Sequence, residues 1–141
     1  MYRASRDGNT DEAFHEKCDN KGATIVVAKI ANTEQIVGGY NPLFWDSSNS
    51  YMTINDSFIY SFTDRNNFKS AKIGYSNGNK FSIGCYTSYG PIFGHSNDLR
   101  FYNGTWNSIY NQYSSYPEVD GIPYGGDFNV DDYEVFQVIK K

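Results

Sequence analysis

Positive charge is scarce in this chain. Its 12 Lys and Arg stand against 16 Asp and Glu, for a net charge of −4 and a pI near 5.0. The bases are scattered, whereas nucleic-acid binding needs them gathered into a stripe. The same balance argues against an anionic membrane surface. No apolar stretch approaches the ~18 residues of a spanning helix, and Met1-Tyr2-Arg3 opens no apolar signal region. The chain is therefore expected to be soluble and intracellular, in the cytoplasm, with no nucleic-acid partner and no membrane insertion. Cysteine is scarcer still. Cys18 and Cys85 are too few for a disulfide framework and read as two free thiols. A glycine-rich phosphate loop, a dinucleotide fingerprint and paired catalytic carboxylates are also missing, so no cofactor is expected. The sequons Asn55-Asp56-Ser57 and Asn103-Gly104-Thr105 read as chance matches in an Asn- and Ser-rich chain.

What the chain has in quantity is rings. Aromatics make up 18% of its 141 residues, as 13 Tyr, 10 Phe and 2 Trp, while mean hydropathy is −0.62. A chain of this length buries roughly 68–70% of its unfolded surface, enough for one core. That core must be built of rings, which favour pleated, half-buried surfaces and so lean toward β structure.

Tyr2-Arg3-Ala4-Ser5-Arg6-Asp7-Gly8 reads as the tail of a strand and a polar turn. A short helix is predicted over Asp11 to Cys18, with Thr10 as N-cap, Asp11 and Glu12 in the first turn, and Gly22 as the left-handed stop after Lys17 and Lys21. Thr24 to Ile30 is a near-continuous apolar run, predicted as a central strand covered on both faces. Gln35 to Tyr40 is its hairpin partner, and the Gly38-Gly39 pair leaves room for a bulge or for a ring lying on the backbone. Trp45 falls in the loop after Asn41-Pro42. Ser57 to Phe62 alternates, with Phe58, Tyr60 and Phe62 on one face. After a turn at 64–67, a strand is predicted from Phe68 to Tyr75. Ser76-Asn77-Gly78-Asn79 is predicted as a hairpin turn, with Phe81, Ile83 and Cys85 on one face of the returning strand. A loop over Gly90 to Gly94, a short strand over Asp98 to Tyr102, an irregular excursion from Asn107 to Asp131 and a closing strand from Tyr133 to Ile139 complete the pattern. In the closing strand, Phe136 and Val138 share one face, Val135 and Ile139 the other. Strand signals every 8–12 residues favour an all-β sandwich over a βαβ fold.

Gly74-Tyr75-Ser76-Asn77-Gly78 has the spacing of a hydrolase nucleophile elbow, but a strand follows where a helix is needed, and no acid separates Ser76 from His95. Asp127, Asn129 and Asp131 mimic the start of a calcium loop. Asp132 then replaces the turn glycine and Val138 the bidentate glutamate. His15 and Cys18 share a helical face, yet a zinc site needs four ligands, and the other candidates, Cys85 and His95, are distant in sequence. No metal site is expected. Arg3, Arg6 and Asp7 flank the first turn, as a turn-pinning cluster or as a protein-docking surface. Cys18 and Cys85 are the candidate redox residues, with Lys17 and Lys21 near the former.

The opening block with Phe14-His15-Glu16-Lys17-Cys18 resembles the TLDc (TBC/LysM-associated) domain in the form seen in fungal BTB–TLDc proteins. So do Gly38-Gly39-Tyr40-Asn41-Pro42 with Trp45, Asp56 to Phe62, Cys85-Tyr86, Ser88 to Gly94, Asp98-Leu99 and Tyr133 to Phe136. The resemblance covers essentially the whole chain. It implies a mainly β (α+β) fold, a sandwich of two antiparallel sheets with a few short helices. It also implies a non-catalytic role in resistance to oxidative stress through a protein partner, such as subunits of the vacuolar proton-pumping ATPase. The alternative is a redox-active protein that consumes or senses oxidant at Cys18 or Cys85. Family domains begin with a helical lead-in and the first half of a strand. Met1 stands where that strand is under way, so residues 1–141 are expected to be a single TLDc-like domain truncated at its N-terminus.

Overall fold

The computed structural model describes residues 1–64, 66–94, 98–102 and 104–139. Tyr2 and Arg3 form a short strand, β1, and the polar turn closes as one helical turn, α1 (Ala4–Asp7). Helix α2 spans Asp11–Cys18 as predicted, and Thr10 Oγ1 accepts the Ala13 amide at 3.1 Å. Its exit differs from the expectation. The chain turns left-handed at Asn20 (φ 61°), whose amide donates to the Trp45 carbonyl at 2.7 Å. Gly22 is also left-handed, at φ 77°, but lies past the stop.

Two antiparallel sheets follow. The first joins β1, β2 (Thr24–Ile30), β3 (Ile36–Asn41), β5 (Phe58–Phe62), β6 (Ala71–Tyr75) and β12 (Val130–Gln137), in the order β1-β12-β2-β3-β5-β6. The second joins β4 (Ser50–Met52), β7 (Ile83–Cys85), β8 (Ile92–Phe93), β9 (Leu99–Tyr102), β10 (Thr105–Ser108) and β11 (Gly126–Phe128), in the order β11-β10-β9-β8-β7-β4. Their inner faces form the core. Val26, Ala28, Val37 and Ile59 of one sheet are buried against Ile83, Phe93, Leu99, Phe101 and Trp106 of the other. This is the expected β-sandwich.

Trp45 is a core residue rather than a loop ornament. Its indole N–H donates to Thr24 Oγ1 at 2.8 Å, and its ring makes edge contacts with Phe14 (5.5 Å) and Phe93 (5.6 Å). It thereby fastens α2 to both sheets. The glycine pair receives a ring on each side of the sheet. A Cβ on Gly39 would come within 2.5 Å of the Phe93 ring on the core side. One on Gly38 would meet the Tyr60 hydroxyl at 2.7 Å and the Val26 carbonyl closer still. No bulge forms there, since β2 and β3 pair without a register shift.

Other expectations are corrected. Strand β2 is covered on one face only: Val26 and Ala28 are buried, while Ile25 and Val27 are half-exposed on the outside. Ser76 to Asn79 makes no hairpin, because β6 and β7 belong to different sheets. The asparagines there bind local backbone instead: Asn77 Oδ1 accepts the Asn79 amide at 3.0 Å and Asn79 Oδ1 the Phe81 amide at 2.9 Å. Those side chains satisfy donors that a ladder would have used, so the segment crosses between sheets. Phe81 precedes β7 and packs on Tyr51 (ring centroids 5.2 Å apart), which opposes Gly84, so it leaves the face of Ile83 and Cys85. Phe68–Ser70 is a 3-10 turn, Ile92–Phe93 is a strand inside the expected loop, and the expected excursion from Asn107 to Asp131 contains the end of β10, all of β11 and the start of β12. Strand β12 ends at Gln137, although the Val138 amide still donates to the Ala23 carbonyl at 2.8 Å. Arg65 of the 64–67 turn and Asn103 of the second sequon lie outside the described residues.

Candidate interaction surface

The outer face of the first sheet is apolar across most of its width. Strand register sets Phe136, Ile25, Tyr40, Phe58 and Tyr75 side by side in one row over five strands. The next row holds Glu134, Val27, Gly38, Tyr60 and Ile73. Tyr40–Phe58, Phe58–Tyr75 and Tyr60–Phe62 stack or meet edge-on at 5.3, 5.4 and 5.5 Å between centroids. Tyr60 lies down on Gly38 and donates its hydroxyl to the Val26 carbonyl at 2.8 Å, so the middle of the face is hollow. An open apolar groove of about 460 Å³ results, bounded by Ile25, Phe58, Phe62 and Ile73. Antiparallel sheets with one packed face usually turn polar residues outward.

The charged corner at β1 and α1 is tightly self-paired. Arg6 forks onto Asp7, Nε to Oδ1 at 2.9 Å and Nη2 to Oδ2 at 2.7 Å. The same carboxylate accepts the Arg3 amide at 3.0 Å. These bonds hold the Asp7 carboxyl well below the usual carboxylate range. Arg3 reaches Glu134 on β12 at 3.3 Å, and Ser5 donates both its amide and its hydroxyl to Asp132. Arg3, Arg6 and Asp7 therefore come together, with two guanidinium groups fixed at the surface.

The remaining candidates are scattered. Cys18 and Cys85 are both buried, and burial pushes each thiol up to about 12. That disfavours the thiolate on which oxidant chemistry depends. His15 Nδ1 lies 2.7 Å from Asp19 Oδ1, and Nε2 lies 2.8 Å from the carbonyls of Tyr86 and Tyr89. Both ring nitrogens are thus taken up by the fold, while His95 lies outside the described residues. Ser76 shares a 2.7 Å hydrogen bond with Ser82. Asp127 accepts from Asn107, and Asp131 pairs with Lys29 on another strand. Among the described residues no group of three or more His, Cys, Asp or Glu is placed to hold a metal ion.

Asp98 reads in the sequence as a strand start and as part of the family resemblance, with no role of its own. It is buried, and its Oδ2 accepts the amides of Ser115 and Tyr116 at 2.7 and 3.0 Å. Burial raises its carboxyl to about 6 in spite of those bonds. No sequence signal marks this role; in the fold, a Cβ on Gly94 (φ 94°) would collide with the Asp98 carboxylate.

The fold defines an antiparallel β-sandwich domain of two six-stranded sheets around one core. The family model of the TLDc domain matches residues 1–139, and the chain belongs to that family. No curated protein matches the chain. No helix among the described residues is long and apolar enough to cross a membrane.

Proposed function

We propose that this TLDc domain is a non-catalytic interaction domain in oxidative-stress resistance, acting in the cytoplasm by docking on a protein complex. The vacuolar proton-pumping ATPase is the complex that the family resemblance points to. The observation that carries the reading is the corner formed by Arg3, Arg6 and Asp7. Arginines are prominent among residues that dominate binding energy, and an arginine already fixed in place loses less freedom on docking. The buried state of both cysteines weighs against oxidant consumption as the main activity.

The test is affinity capture with the tagged full chain, followed by identification of pump subunits. Wild type is expected to recover them, and the double variant Arg3→Glu with Arg6→Glu to lose them while keeping its far-ultraviolet circular dichroism. Equal recovery by both proteins, or no pump subunits with wild type, would reject the reading.

A further inference from the structure

We propose that two copies of this chain associate edge to edge through β6, extending the first sheet across a two-fold axis at Ile73. Among the described residues strand β6 ends its sheet, with β5 as its one neighbour. The Ser76 amide donates to the Ser57 carbonyl at 2.8 Å, which makes that pair a hydrogen-bonded one. Such pairs alternate along an antiparallel ladder. Lys72 and Gly74, opposite Ser61 and Ile59, therefore bond inward to β5. The amides and carbonyls of Ala71, Ile73 and Tyr75 point away from the sheet. Among the described residues no backbone bond from another segment reaches these three. The next outward amide, that of Asn77, is already taken by the Ser115 carbonyl at 2.8 Å.

Exposed edges are normally blunted by proline, a bulge or charge. Strand β6 keeps regular register with β5 over its whole length and carries a single charge, at Lys72. Its outer side chains are also where the apolar face is most open: Ile73 is 54% exposed and Tyr75 58%. The same row farther from the edge is half-buried at Phe58 and Tyr40.

A second copy fits this edge in a specific register. Antiparallel pairing about Ile73 sets Ile73 opposite Ile73 and Ala71 opposite Tyr75. These are the residues with outward backbone groups, so all three pairs are of the hydrogen-bonded kind and supply about six bonds. A large ring meets a methyl group at each end. On the other face Lys72 opposes Gly74, which is roofed by Pro117 and Val119, 2.8 and 2.7 Å from where its Cβ would stand. The exposed Glu118 between those two residues supplies the counter-charge for Lys72 of the second copy, and the two-fold repeats the pair. A seam of five residues is small, below the ~1,200 Å² of stable complexes, so the dimer forms reversibly with concentration.

Sedimentation equilibrium from low micromolar to submillimolar concentration tests this. Wild type is expected to pass from monomer to dimer. Ile73→Pro is expected to stay monomeric yet folded, because the lost N–H points away from β5. Ile73→Cys gives a second reading. Across the two-fold its Cα atoms stand about 5.5 Å apart, within disulfide reach, so mild oxidation should yield a covalent dimer, and Lys72→Cys should not. Wild type that remains monomeric would overturn the proposal. So would an Ile73→Pro variant that dimerises like wild type, or equal cross-linking at positions 72 and 73; each would assign the face to another contact.

Discussion

Outside the second sheet, the Arg100 guanidinium lies 4.7 Å from the Tyr89 ring centroid, and Asn107 donates to Asp127 at 2.9 Å. Outside the first sheet, Phe136, Ile25, Tyr40, Phe58 and Tyr75 run shoulder to shoulder with no charge among them. Both sheets have six strands, all antiparallel, and both bury their other face in the same core. The backbone plan therefore does not decide which outer face meets water comfortably; the outward side chains do. The second sheet follows the usual solvated pattern along β9 to β11, at Arg100, Asn107 and Asp127, while Tyr51 and Ile92 continue the same row as apolar residues. The first keeps an apolar patch of the sort that marks an interaction surface on a soluble domain. Its glycine, Gly38, lets Tyr60 lie flat and hollow that patch out, while its free edge at β6 leaves the patch open at one side.

Substituting the outward glycine of each sheet breaks this comparison most sharply. In Gly38→Ala the new methyl has nowhere to go, because the Val26 carbonyl and Tyr60 hydroxyl occupy its place. A loss of at least about 3 kcal/mol is expected from urea unfolding. Gly84→Ala, on the outer face of the second sheet, meets Ile92 Cβ and Tyr51 Cε1 at 2.9 Å; the Tyr51 ring can swing aside, but the Ile92 Cβ moves only with its backbone. About 2 kcal/mol is expected there.

A smaller effect is pH-dependent and concerns Asp98, which ties β9 to the segment that roofs β6. Its carboxyl sits near 6 in the fold, above the ordinary 3.8. Between those values the folded state binds the extra proton, so this group's stabilisation is present at low pH and fades as pH rises through about 6. Asp98→Asn should remove that slope, gaining on the order of 2 kcal/mol relative to wild type between pH 4 and 7. Unfolding midpoints at several pH values check it; parallel profiles for the two proteins would refute it. Tyr60→Phe follows, at about 1 kcal/mol, for the hydroxyl given to Val26. Smallest is Arg100→Ala on the polar face, at roughly 0.5–1 kcal/mol, for a cation–π contact at the surface.

Much of the sandwich was legible in the sequence. Strand β2 and helix α2 emerge with their predicted bounds, because an apolar run between turn residues and a Thr-capped acidic first turn are strong local signals. The ring-on-glycine reading of Gly38-Gly39 also holds, on both faces of the sheet. The open outer face was hidden. A continuous run such as Thr24 to Ile30 shows that both faces are apolar, and says nothing of whether a second layer covers each one. The Asn77-Gly78 turn misled for a related reason. Local chemistry permits a hairpin there, but Asn side chains that serve nearby amides let the chain cross to the other sheet. Strands as short as Ile92–Phe93 carry too few residues for any alternation to show. The Arg3–Arg6–Asp7 cluster was visible because its members are neighbours in sequence, whereas the contacts of Asp98 span 17 and 18 residues.

Residue-resolved hydrogen exchange at low and high protein concentration tests the central difference between the two faces most directly. At low concentration the amides of Lys72 and Gly74 should be protected, and those of Ile73 and Tyr75 should exchange freely. Raising the concentration should slow Ile73 and Tyr75 selectively, with no change along the outer residues of β9 and β10. Uniform slowing of both sheets, or Ile73 and Tyr75 amides protected already at the lowest concentration, would contradict the account.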